Sequence, residues 1–77
     1  MATYGLVKAS PLVLKDINET RVRAGKKRLG QAWYLYYMSK APQFIDLFAT
    51  KAAAQAKARK HALSRLGSHE VKFVKAR

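Results

Sequence analysis

The chain has no cysteine, two prolines, four glycines and only four acidic residues. Without cysteine there is neither a disulfide framework nor a thiolate metal site to hold so small a fold, and a hydrophobic core or a partner subunit must hold it instead. No apolar run approaches the ~20 residues a bilayer span requires. Met1-Ala2-Thr3-Tyr4-Gly5 lacks a basic stretch followed by a long apolar one, so a cytoplasmic location with no membrane partner is expected. The shortage of acids is the most consequential: sixteen Lys and Arg stand against them, a formal charge of +12 on 77 residues. Such a field concentrates polyanions near the surface and speeds their capture, which concerns partners and not fold. Its bland counterpart is solubility. A content of 49% hydrophobic residues, with aromatics at 10%, argues against disorder.

Reaction chemistry is also missing. His61 and His69 have no cysteine or suitably spaced carboxylate to complete a metal site, and each reads as an exposed or capping imidazole. Ser64, His61 and Asp46 form a triad only by selection among scattered residues. No glycine-rich phosphate loop and no twin carboxylates occur. Neither an enzyme, a metal nor a cofactor is expected.

What is present fits one α+β domain over residues 1–77, near the lower size limit for an unstapled core. It divides into an approach segment 1–20, a basic loop 21–28 and a sheet-helix core 29–75. In the approach segment, Tyr4 to Ala9 reads as a short strand or an unpaired arm. Ser10-Pro11 has the form of a helix start, N-cap then first position. Leu12-Val13-Leu14 with Ile17 suits one or two helical turns, an irregular segment or a buried strand, since short apolar runs do not decide by periodicity. Arg21, Arg23, Lys26, Lys27 and Arg28 surround Gly25 without an acid, a composition for an exposed loop or hairpin tip. As a mobile charge run it is ordinary; as a loop that follows a sugar-phosphate backbone it is functional.

The strands are expected around 29–38, 43–49 and 70–75, forming an antiparallel sheet on one helix around 51–66. Residues 29–38 are rich in aromatic and branched side chains. Alternation puts Trp33, Leu35 and Tyr37 on one face and Tyr34, Tyr36 and Met38 on the other. One face suits the helix; the other asks for a second subunit, another partner or stacked bases, and a homodimer is expected on this ground. Pro42 stops the ladder and the return strand makes a hairpin. Thr50 caps the helix and Gly67 ends it, with Ala52, Ala56, Leu63 and Leu66 on its expected inward stripe and Lys57, His61, Ser64 and Arg65 opposite.

Trp33-Tyr34-Leu35-Tyr36, then Phe48-Ala49-Thr50-Lys51, Ala54 and the charged helix resemble the arm-site DNA-binding domains of tyrosine recombinases. That resemblance implies a three-stranded sheet, backed by one helix, entering a major groove. Ala49-Thr50-Lys51 with Ala54, Ala58 and Arg59, followed by a strand from Glu70 to Lys75, also resembles an uncharacterised family of small bacterial strand-strand-helix-strand proteins. About half the chain takes part in either case.

The expected function is nucleic-acid binding, DNA before RNA, by a protein of the kind a phage, plasmid or bacterium encodes. Arg21, Arg23, Lys26, Lys27, Arg28, Lys57, Lys60, Arg65, Lys72 and Lys75 would contact phosphates, Tyr34 and Tyr36 would stack, and Gln31 would read bases, as would Gln43. The alternative is a phage-type inhibitor whose basic loop and aromatic face occupy an acidic host protein such as a transcription factor, since an acidic groove asks for the same cations. A third is an accessory ribosomal or RNA-packing protein.

Overall fold

The computed structural model describes residues 2–75 and shows an α+β fold. The strands are β1 (Ala2–Lys8), β2 (Trp33–Tyr37), β3 (Gln43–Phe48) and β4 (Val71–Lys75), and the helices α1 (Pro11–Arg23) and α2 (Lys51–His61). A single π-helical turn, Ala62–Leu66, continues α2 and ends at Gly67 in left-handed conformation, φ 62°. The sheet has four strands in the order β3-β2-β1-β4. β1 pairs antiparallel with β2 and parallel with β4, and β2 pairs antiparallel with β3. β3 and β4 therefore run the same way at opposite edges, and α2 carries the chain across one face between them.

This corrects the expectation of a three-stranded antiparallel sheet: the sheet is mixed and has four strands. The fourth is β1, and it lies in the interior. Tyr4, at its centre, is fully buried, with Ala2 and Leu6 beside it on the same face. Its short run, interrupted by Gly5, has little strand signal of its own. Its place in the interior comes from pairing with β2 and β4 on either side and from α2 packed over one face, all distant in sequence.

The core forms on the α2 side. Ala2, Tyr4, Leu6, Leu35, Ala54, Ala58 and Ala62 are buried, and Trp33, Tyr37, Ile45, Phe48, Val71 and Phe73 pack around them. The expected inward stripe of α2 is thereby overturned: Ala52 and Ala56 are exposed, and so are Leu63 and Leu66. Alanines spaced four apart let the helix lie close on the large rings of β1 and β2, whereas a leucine would hold it off. Thr50 caps α2 as expected, its hydroxyl accepting the Ala53 N–H at 3.1 Å.

The first helix is longer than one or two turns. Ser10 accepts the Val13 N–H at 3.3 Å and Pro11 follows at the first position. Its far end closes at Gly25, φ 76°. There the Gly25 N–H goes to the Val22 carbonyl and the Lys26 N–H to the Arg21 carbonyl, the paired bonds of a Schellman cap. Arg21 and Arg23 are therefore helical, not part of a loop. The aromatic strand shortens to 33–37 because Leu29 is held by Asn18 of α1 and the chain only then enters the sheet. A bulge beside Leu35 and Tyr36 lets Ile45 reach the core while Asp46 stays exposed. The Asp46 carboxylate accepts the Leu47 N–H at 2.7 Å.

Among the described residues no helix is long and apolar enough to cross a membrane. The radius of gyration is 13.3 Å and the extents are 38 × 22 × 18 Å. A compact chain of this length would have a radius of about 11.5 Å. The elongation reflects α1, which touches the sheet only sparingly.

Candidate nucleic-acid interface

The basic segment after α1 is tied down at several points. The Asn18 side chain donates to the Leu29 carbonyl at 3.0 Å and accepts the Leu29 N–H at 2.7 Å. The Arg21 Nε–H donates to the Lys27 carbonyl at 2.8 Å. Between these clamps lies the Schellman cap, so the segment is held by side chains of α1 together with its own backbone. Arg21 and Arg23 sit in the last turn of α1, where cations favour the helix dipole, and Lys26, Lys27 and Arg28 follow on the exposed chain. All five expected phosphate contacts of this segment are thus gathered at one end of the molecule.

The remaining expected residues fall on separate surfaces. Lys57, Lys60 and Arg65 line a shallow recess with His61, Leu63 and Ser64 on the outer side of α2. Lys75 lies opposite Leu6 in the β1/β4 ladder and so belongs to the α2 side, where it shares a groove of about 510 Å³ with Lys8, Lys51, Trp33 and Gln55. No acidic side chain lines that groove, and the Lys51 ammonium stands 5.7 Å from the Trp33 ring centre. Lys72 lies opposite Thr3 and so occupies the other sheet face.

That other face also holds Tyr34 and Tyr36, half-buried, with Phe44 of β3 at 6.1 and 5.7 Å between ring centres. Phe44 is 56% exposed. The face is not wholly bare, because α1 flanks its Tyr34 end: Val13, Asp16, Ile17, Thr20, Arg21 and Lys26 line a groove there with Tyr34, Asp46 and Leu47. Two acids thus offset two cations in this groove. The presence of α1 removes part of the ground for expecting a homodimer on this face.

The two glutamines stand elsewhere. Gln31 accepts the Trp33 indole N–H at 3.0 Å and is half-buried, and Gln43 lies opposite Tyr37 on the α2 side. His61, expected to be exposed or capping, turns inward: its Nδ1 and the Tyr4 hydroxyl share a hydrogen bond of 2.7 Å, and its ring meets that of Tyr4 edge-on at 5.6 Å. Burial, and then the charges of Arg65 and Lys57, hold its pKa below the usual 6.5. Burial, and then Tyr37, raise that of Tyr4 above 10. This pair joins the central strand to the end of α2 and is structural. Among the described residues no group of three His, Asp or Glu side chains is placed to hold a metal.

The site residues that sequence reasoning misses are Phe44, Lys8, Lys51 and Trp33. Phe44 reads as core in any alternating strand, and its exposure follows only from its edge position. Lys8 and Lys51 meet Lys75 because β4 pairs with β1 and α2 starts over the same sheet face, contacts with no local signal. No family model matches the chain, and no curated protein or solved structure matches it.

Proposed function

We propose that this chain is a small non-enzymatic nucleic-acid-binding protein with DNA as its preferred ligand. The observation that carries the reading is the immobilised basic segment: five cations in eight residues, anchored by the Asn18 clamp, the Arg21 bond and the Gly25 cap. A mobile charge run would lose conformational entropy on meeting a phosphate backbone, whereas an ordered one has less to lose. The acid-free lysine groove and the outer side of α2 add cations on other surfaces, which support capture in many orientations. The resemblance to arm-site domains adds the choice of DNA and a bacterial or phage source, with action in the cytoplasm.

Binding of a fluorescent DNA across a salt series tests this. Log affinity should fall linearly with log salt, and changing Lys26, Lys27 and Arg28 together to alanine should weaken binding by about tenfold or more and flatten the slope by roughly two to three units. A salt-insensitive or absent interaction, indifferent to the triple change, rules the reading out.

A second reading has its own observation. Leu12 is 78% exposed and Val22 47%, both on the helix that carries the cations. An acidic host protein would cover such a mixed surface, and its complex should lose much less affinity with salt than a phosphate-bound one.

A further inference from the structure

Phe44 sits on the solvent side of an edge strand with more than half of its surface exposed, so much of the burial that a ring ordinarily gains on folding is forgone. It approaches Tyr34 and Tyr36 at interplanar angles of 61° and 64°. The rings meet edge to face and not in parallel stacks, and Phe44 stays 56% exposed with Tyr34 and Tyr36 half-buried, so part of this aromatic surface is open to solvent. α1 flanks the Tyr34 end of this surface. Lys72, from the far edge strand, shares the face, and Lys40 stands exposed in the hairpin turn just before Phe44.

We propose that Phe44, Tyr36 and Tyr34 form a stacking platform for unpaired bases, and that the ligand of this surface is single-stranded DNA. The inference rests on the nucleic-acid reading above and specifies its substrate. Bases in a duplex have their faces closed by neighbours and offer only their edges in the grooves. Reading edges needs paired donors and acceptors, and both candidate glutamines stand off this face, one engaged by the Trp33 indole and the other on the α2 side. Unpaired bases present their faces, and aromatic rings accept any of them without regard to sequence. Lys72 and Lys40 would hold the phosphates of a strand crossing the platform. In the groove beside Tyr34 the Asp16 and Asp46 carboxylates offset Arg21 and Lys26, whereas among the described residues no acid offsets Lys72 and Lys40, which favours a path over Phe44 and Tyr36.

The test compares a thymidine oligonucleotide, an abasic strand and a uridine strand of equal length and a blunt duplex across a salt series. These are measured with the wild-type chain, Phe44→Ala, Phe44→Trp and the Lys26/Lys27/Arg28 triple alanine variant, each checked for folding by circular dichroism. The thymidine strand should bind at least about fivefold more tightly than the abasic one. Phe44→Ala should remove at least about fivefold from the thymidine strand alone, Phe44→Trp should retain binding, and the triple variant should weaken all ligands. Equal affinity for abasic and thymidine strands, a preference for duplex, or a Phe44→Ala loss shared by every ligand would overturn the platform while leaving the nucleic-acid reading intact. Absence of salt-dependent binding to any strand would overturn both. A uridine strand bound in place of the thymidine one would overturn the choice of DNA.

Discussion

Tyr4 and His61 show how one hydroxyl can be made to serve a fold. Burying a phenol without a partner costs about 1–3 kcal/mol. The imidazole nitrogen at 2.7 Å removes that cost while joining the central strand to α2. The same burial, with Arg65 and Lys57 nearby, makes the folded state reluctant to protonate His61. The unfolded chain, whose histidine titrates near 6.5, then binds the proton more readily. Stability is therefore full above that pH, falls as the pH drops below it, and stays lower once the folded-state value is passed. Urea midpoints measured from about pH 8 down to about pH 5 should decline for the wild type. In His61→Gln, which keeps an acceptor for Tyr4, the decline should be reduced to whatever other groups contribute. Equal declines in both would show that His61 is not the titrating group. Tyr4→Phe should lower stability by about 1 kcal/mol near neutral pH, since it removes the hydroxyl and leaves one ring nitrogen without its partner.

The element that decides the basic surface is α1 with its cap. Lys26, Lys27 and Arg28 are placed by hydrogen bonds that begin in the helix, so a change far from any phosphate should alter binding. Asn18→Ala breaks both bonds to Leu29 and should cost about 1–3 kcal/mol of stability. Amide exchange in residues 24–29 should speed up in this variant, and DNA affinity should fall although no cation has been removed. Unchanged exchange in that segment would show that the clamp does not order it. The start of α1 is legible in the sequence, since Ser10-Pro11 has the form of a cap and first position, although Leu12-Val13-Leu14 by itself also suits an irregular segment or a buried strand. The length of α1 is not, because Arg21-Val22-Arg23 has no apolar periodicity, and the glycine that reads as a loop tip is equally the residue a left-handed cap needs. The inward side of α2 escapes for a different reason. Periodicity rewards leucine over alanine, but the large rings on β1 and β2 already fill the space, and only the small residues fit against them.

Across the whole molecule, the cations do not form one site. They occupy the α1 end, the outer side of α2 and the groove at its start, with Lys72 on the aromatic face. A single duplex contact would not use all of them. Assembly follows from the same distribution. Equilibrium sedimentation at tens of micromolar discriminates between uses of the aromatic face: a clean monomer mass leaves it free for ligand. A dimer mass abolished by Phe44→Ala would assign it to a second copy of the chain, and the stacking proposal would lose its surface.

Local pattern in the chain is enough to establish the class of fold, the hairpin of β2 and β3, both helix starts, a strand at β4 and the sign of the charge. Each of these rests on neighbours within a few residues: a cap, a proline, an alternation, an imbalance of ions. Long-range packing settles the rest: β1 becomes an inner strand, α2 turns its alanines inward, His61 meets Tyr4, and Phe44 is left outside. These depend on contacts between segments far apart in the chain, where burial is set by whatever else arrives, and no local pattern records that.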